Sequence, residues 1–169
     1  DKTNLYEHGS PHKKMEYYDG VICTTMSQEG AVFQLRSWLP REVGNIYWRI
    51  TAASCSGVLV PWYAGITATP KAYHKFSPLE SISDEFHFSP PQEAYRFDPE
   101  HAFYVFNDLE NIVDLDYKNY IDTVQKTWRE FEKTQFDLQQ QVEETAISLL
   151  KKDPELGRAY LQTIPADRV

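Results

Sequence analysis

The stretch AVFQLRSWL, residues 31–39, alternates apolar and polar side chains from Phe33 onward. Because successive side chains of a strand point to opposite faces, the apolar members share one face and the polar members share the other. A polar break ending in Gly30 precedes this stretch, and residues 21–26 before the break are rich in β-branched side chains. The two segments predict a β-hairpin.

Two further strands are predicted over residues 46–51 and 58–63, joined by a loop of small residues. The composition then changes near residue 98, where runs of β-branched and aromatic residues give way to Glu, Gln, Lys and Leu. Strands followed by helices predict an α+β fold, in which helices cover one face of a mostly antiparallel sheet. We divide the chain into an irregular lead-in (1–19), antiparallel strands and a long loop (20–97) and a helical layer (98–169). Together they form one domain or the C-terminal part of one.

The helical layer carries two similar start signals. Asp98-Pro99-Glu100 and Asp153-Pro154-Glu155 each place a capping Asp before a Pro suited to the first helical position. Between them, apolar residues are separated by alternating steps of four and three, which favours one long amphipathic helix packed on its neighbours over an intermolecular coiled coil. This seam consists of Tyr117, Ile121, Val124, Trp128, Phe131, Gln135, Leu138, Val142, Thr145 and Leu149.

Residues 65–97 are irregular and punctuated by four prolines. We predict a surface excursion with a short helix after Thr69-Pro70. Loops of this length are uncommon in compact domains, so this one is expected to pack on another element or to border a site.

Composition limits the function. The 169 residues carry 17 Lys and Arg against 25 Asp and Glu, a net charge of −8, which argues against nucleic acid as a partner. No apolar run approaches the ~18 residues of a spanning helix, so no membrane association is predicted. The chain begins at Asp1 rather than Met, and we expect the gene product to extend upstream. Its compartment is not indicated.

The common catalytic signatures are absent from the sequence, and no cofactor is predicted. His8 and His12 have metal-ligand spacing, but the Gly-Ser-Pro between them breaks the helix this would need, so no metal site is predicted. Cys23 and Cys55 are interpreted as buried strand residues. His101 is interpreted as a surface or edge residue in the first turn of a helix. Arg36 and Arg49 are expected on the wet face of the sheet, with substrate orientation as the rarer alternative.

Two motifs carry a resemblance to a known family. QLRSWLP at residues 34–40 and SGVLVPWYAGIT at residues 56–67, with AFYVFN at residues 102–107, resemble the C-terminal part of the dipeptidase A type family, to which the secernins are related. The similarity extends over about residues 20–130. Neither motif is catalytic.

The resemblance implies an αββα sandwich of the N-terminal nucleophile hydrolases. It also implies a dipeptide substrate, whose amide carbonyl is attacked by a Cys at the mature N-terminus with its own α-amine as the base. Because Cys23 and Cys55 are internal, the nucleophile and the other catalytic side chains are expected upstream, in a catalytic part of the same protein. No catalytic residue is therefore assigned here. Trp62 and Tyr63 are candidates for substrate binding, because amphipathic aromatics can line a peptide cleft, although core packing is the more common role of such residues.

Two alternatives stay open. One is an acylase acting on another linear amide within the same superfamily. The other is a non-catalytic interaction domain that uses the seam of residues 117–149 for a partner or for self-association into a homo-oligomer.

Overall fold

The computed structural model describes residue 23 and residues 27–76 and 83–166. Three strands, β1 (Glu29–Leu35), β2 (Asn45–Thr51) and β3 (Val60–Tyr63), form an antiparallel sheet in the order β1-β2-β3. The antiparallel sheet followed by long helices confirms the predicted α+β class. The strand predicted over residues 21–26 lies outside the described residues except for Cys23, which lies in a bend.

Five α-helices and two 3₁₀ turns accompany the sheet in the described residues. The two 3₁₀ turns cover Lys71–Tyr73 and Gln92–Tyr95. The α-helices are α1 (Arg41–Gly44), α2 (Asp84–Phe88), α3 (Ala102–Leu115), α4 (Tyr117–Lys152) and α5 (Pro154–Ala166). The turn after Thr69-Pro70 matches the short helix predicted there. None of the described helices combines the length and the apolar character needed to cross a membrane.

The two helix start signals behave differently. Asp153 accepts a hydrogen bond from the Glu155 amide at 2.9 Å and α5 begins at Pro154, as predicted. Asp98 accepts the equivalent bond from the Glu100 amide at 3.0 Å, yet α3 begins only at Ala102. The reason is that His101 has an extended backbone (φ −97°, ψ 122°), so the turn capped by Asp98 does not continue into the helix.

The core consists of two main clusters on the sheet. In the first, Ile46, Trp48 and Tyr63 pack against Val142 of α4 and Leu161 of α5. Each such side chain contributes roughly 1.5–3 kcal/mol when fully buried. The second cluster joins β3 to α3 and to the N-terminal half of α4; its buried members are Ala52, Val58, Val60, Trp62, Ala102 and Phe106.

Helix α4 packs within the chain along its whole length. Every residue of the seam between Tyr117 and Leu149 is buried or half-buried. This agrees with an amphipathic helix on its own sheet and neighbouring helices, which was the favoured interpretation of the seam.

The apolar face of β1 is left exposed. Gln34 and Arg36 contact α4, whereas Phe33 and Leu35 on the opposite face are 66% and 70% exposed. Trp38, just after the strand, is 76% exposed. The alternation predicted for this stretch is therefore present, with its polar side chains turned toward the helical layer.

Candidate functional site

An open cavity of about 630 Å³ lies where the loop after β3 meets the start of α3. Its wall is largely aromatic, and Phe76 and Phe86 meet edge to face at 5.0 Å between ring centroids. Phe86 is held by helix α2, whose cap Ser83 accepts a hydrogen bond from the Phe86 amide at 3.1 Å. The aromatic wall consists of Tyr73, Phe76, Phe86, Phe103 and Tyr104.

Tyr73 forms the floor of the cavity toward the sheet. It ends a 3₁₀ turn, in which its amide donates to the Pro70 carbonyl at 2.9 Å. The ring meets Trp62 edge to face at 4.7 Å, and the Arg49 guanidinium lies 5.9 Å from the ring centroid. The Tyr73 hydroxyl is buried without a hydrogen-bond partner among the described residues. Burial raises the pKa of Tyr73 to about 12, while the positive charge of Arg49 acts in the opposite direction.

His101 lies at the rim, at the N-terminal end of α3. Its Nδ1 is buried and, within the described part of the chain, has no hydrogen-bond partner. Burial lowers the pKa of His101, and the charges of Lys75, His74 and Arg49 lower it further, while Asp98 raises it. Burial is the largest of these effects, and it biases the imidazole toward its neutral form.

Lys75 brings a positive charge to the same rim. Its Nζ donates to the Arg96 carbonyl at 3.1 Å and lies 5.7 Å from the centroid of the Tyr104 ring. The Tyr104 hydroxyl in turn donates to the Ala94 carbonyl at 2.5 Å. The polar residues lining the cavity are Gln28, His74, Lys75 and His101, so no carboxylate belongs to its lining among the described residues.

A second polar cluster joins β1 to α4 on the other face of the sheet. Arg36 binds Glu143 through both guanidinium ends, at 2.8 and 2.6 Å, and also donates to the Val43 carbonyl at 3.1 Å. Glu143 further accepts from Gln139 at 2.7 Å and from the Tyr63 hydroxyl at 3.4 Å. Arg36 is thus committed to a structural ion pair, and its predicted place on the wet face of the sheet is wrong.

Arg49 lies on the opposite face of the sheet and is ion-paired with Glu29 at 3.0 Å. Glu29 also accepts a hydrogen bond from the Tyr47 hydroxyl. The Arg49 charge is therefore compensated on the sheet side, while its guanidinium plane supports the Tyr73 ring.

Residues 2–130 of the 169 match the model of peptidase family C69. The chain belongs to this family. The match confirms the resemblance to the dipeptidase A type family that the motifs suggested. No curated protein matches the chain.

The family C69 match contains every residue that lines the cavity, from Gln28 to Tyr104. It ends before Glu143 and before helix α5, which belong to the packing layer behind the sheet. The cavity is therefore built from the part of the chain that carries the family pattern.

Trp62 and Tyr63, the two substrate-binding candidates, lie in the core. Trp62 is 8% exposed and contacts Tyr73 from below the cavity, and its Nε1 has no hydrogen-bond partner among the described residues. Tyr63 is 3% exposed and faces Glu143 on the other side of the sheet. The structure brings only Trp62 close to the cavity, and substrate binding by either residue stays a prediction.

The two cysteines were predicted to lie on strands, and this location is wrong. Cys55 lies in the loop after β2, Cys23 lies in a bend, and both are half-buried. The Cys23 thiol donates to the Cys55 sulfur at 2.7 Å. That hydrogen bond, together with burial, raises the pKa of the Cys55 thiol well above its ordinary value. Since the thiolate is the nucleophilic form, Cys55 is poorly suited to attack a carbonyl.

Sequence reasoning missed the residues that build the cavity, although it gave one partial signal. The long loop was expected to border a site, and it supplies Tyr73, His74 and Lys75. His101 was interpreted as a surface or edge residue; it is half-buried at the start of α3, and its Nδ1 is buried. The described residues contain no group of three or more His, Cys, Asp or Glu side chains that could hold a metal ion, and His8 and His12 lie outside them.

Proposed function

We propose that this chain is the C-terminal portion of a cysteine dipeptidase. In the full-length enzyme, the N-terminal Cys is the nucleophile that cleaves the amide bond of a dipeptide. The observation that carries the proposal is the family C69 match, which makes the chain part of a peptide hydrolase and spans the residues of the cavity. The cavity volume falls within the ~300–1,000 Å³ common for small-molecule sites. An aromatic wall with a polar rim suits a short peptide.

The proposed chemistry is nucleophilic acyl transfer. The thiolate of the N-terminal Cys adds to the amide carbonyl, its own α-amine accepts the thiol proton and then delivers it to the departing amine, and a thioester remains. Water then adds to the thioester and releases the second product, which regenerates the thiol. Donors aimed at the developing oxyanion stabilise both tetrahedral intermediates.

The nucleophile is proposed to come from a catalytic part of the same protein outside these 169 residues. Two features of the chain support this. Cys55 is internal and its thiol pKa is raised, and Cys23 is internal as well. On this proposal the present chain supplies sheet strands, the helical layer behind them and a wall of the substrate cleft.

The exposed apolar face of β1 is the proposed contact with that catalytic part. Phe33 and Leu35 leave most of their surface in water, although Phe33 is already stacked on Tyr47 at 5.0 Å between ring centroids. A second sheet packed on this face would bury both side chains, and stacked sheets interdigitate side chains in this manner.

The test is dipeptide hydrolysis by the full-length protein. We expect its N-terminal Cys→Ala variant to lose activity by about 10³-fold or more, as removal of a covalent nucleophile does. Cys23→Ala and Cys55→Ala are matched controls, because each removes a thiol from the same protein, and both should keep the parental rate. Equal rates for the parent and the N-terminal variant would overturn the thiol mechanism.

A further inference from the structure

Lys75 brings a positive charge to the rim of the cavity, although the chain as a whole carries a net charge of −8. Lys75 donates to a backbone carbonyl rather than to a carboxylate within the described residues. His74 lies beside it on the exposed side of the same loop. The positive charge of Arg49, behind Tyr73, is paired with Glu29. The negative charge of Asp98 acts on the His101 imidazole and raises its pKa. The uncompensated charge at the rim is therefore that of Lys75.

Two residues that line the cavity each carry a buried polar atom without a hydrogen-bond partner among the described residues. These atoms are the Tyr73 hydroxyl and His101 Nδ1. Burying such groups unpaired costs free energy, so their presence together needs an explanation. An anionic oxygen beside Lys75 would accept a hydrogen bond from the Tyr73 hydroxyl and offset that cost.

The rest of the cavity is apolar. Phe76, Phe86 and Phe103 form one wall, and they would accommodate an aliphatic or aromatic side chain next to the anionic group. The C-terminal residue of a short peptide has this combination, because its carboxylate lies next to its side chain.

We propose that this cavity is the subsite for the free C-terminal carboxylate of a short peptide, with Lys75 and the Tyr73 hydroxyl as its binding groups. The inference rests on the proposed peptidase function and specifies which end of the peptide this chain recognises. It predicts a preference for very short substrates, because only a peptide with its free carboxylate close to the cleaved bond reaches both this subsite and the nucleophile.

The test compares alanyl-leucine with alanyl-leucine amide in binding to the full-length protein that carries the N-terminal Cys→Ala substitution, measured by calorimetry at about pH 7.5. The free acid should bind at least about 10-fold more tightly than the amide, a difference equal to about 1.4 kcal/mol. Lys75→Met and Tyr73→Phe should each reduce that preference to about twofold or less. Absence of measurable binding of the free acid, or equal binding of acid and amide, would overturn the proposal.

Tyr104→Phe is the matched control for Tyr73→Phe. Both hydroxyls belong to residues that line the cavity, but the Tyr104 hydroxyl already donates to Ala94. Tyr104→Phe should therefore lower the melting temperature and keep the preference for the acid. Tyr73→Phe should leave the melting temperature unchanged or raise it, because it removes an unpaired buried hydroxyl. A loss of stability in Tyr73→Phe with an unchanged acid preference would refute its role as a binding group.

Inorganic phosphate separates a peptide subsite from a general anion site. In a competition assay, labelled alanyl-leucine is displaced by inorganic phosphate or by unlabelled alanyl-leucine at equal concentration. If phosphate displaces it as well as the unlabelled dipeptide does, the proposal of a peptide subsite fails. The hydrolysis assay is independent of these measurements. Thiol-dependent hydrolysis with equal binding of acid and amide would support the peptidase function and overturn the carboxylate subsite. Preferential binding of the acid without thiol-dependent hydrolysis would support the subsite and overturn the thiol peptidase function.

Discussion

The ion pair between Arg36 and Glu143 should be one of the strongest tertiary interactions in the chain. It joins the residue that follows β1 to α4 through two charge-assisted hydrogen bonds of 2.8 and 2.6 Å, with side chains only 13% and 10% exposed. Removing one partner of a fully buried pair costs roughly 3–5 kcal/mol. Because about a tenth of each side chain still meets water, we expect about 2–3 kcal/mol for each single substitution.

A double-mutant cycle isolates the pairwise term. Arg36→Met keeps the aliphatic stem, and Glu143→Gln keeps an oxygen that can accept from Gln139 and Tyr63. The free energy of unfolding in urea, followed by circular dichroism, should show a coupling of about 2 kcal/mol between the two substitutions. The double variant should therefore be little less stable than either single variant.

The exposed pair Lys133 and Asp137 on α4 provides the control. These side chains are 74% and 61% exposed, and the same cycle with Lys133→Met and Asp137→Asn should give a coupling below about 0.5 kcal/mol. A coupling for Arg36 and Glu143 no larger than this control value would refute the conclusion that the pair ties the sheet to the helical layer.

Two further predictions concern the cavity rim and the exposed sheet face. The pKa of His101 is lowered in the folded chain, so the unfolded chain binds a proton at His101 more readily than the folded chain does. The free energy of unfolding should therefore decrease as pH falls below about 6.5, the ordinary pKa of His. A nuclear magnetic resonance titration should place the pKa of His101 below about 6.5, and a pKa at or above this ordinary value would contradict the prediction. The His101→Gln variant should lose less unfolding free energy between about pH 7 and 5 than the parent. For the sheet face, Phe33→Ser with Leu35→Ser should change the unfolding free energy of the 169-residue chain by less than about 0.5 kcal/mol, because both side chains are exposed. The same double substitution should destabilise the full-length protein by about 2 kcal/mol or more through lost burial, whereas Phe88→Ser, at an 80% exposed position, should be neutral in both. Equal small effects of the double substitution in both proteins would argue against docking on this face.

Local patterns predicted the elements well. The alternation around Phe33 identified both faces of β1, and the four-and-three spacing over residues 117–149 predicted the one long helix that the structure has as α4. The Asp-Pro-Glu signal succeeded at residue 153 and misplaced the start of α3 near residue 98. There the backbone of His101 is extended, a feature that capping chemistry alone does not specify.

The polar clusters and the cavity both depend on contacts that no local pattern contains. Arg36 and Glu143 are 107 residues apart in the sequence, and Cys23 and Cys55 are 32 apart. Tyr73 becomes the cavity floor only because Trp62 and Arg49 of the sheet lie beneath it. A long loop indicated that a site was near, but the choice of its residues came from tertiary packing.

The proposed thiol mechanism is tested most directly by the rate at which the full-length protein hydrolyses a dipeptide, compared with the rate of its N-terminal Cys→Ala variant. We predict a fall of about 10³-fold or more in the variant, with Cys23→Ala and Cys55→Ala close to the parent. Dipeptide hydrolysis that survives the N-terminal substitution, or that is lost on substitution of Cys23 or Cys55 in a folded protein, would contradict the mechanism.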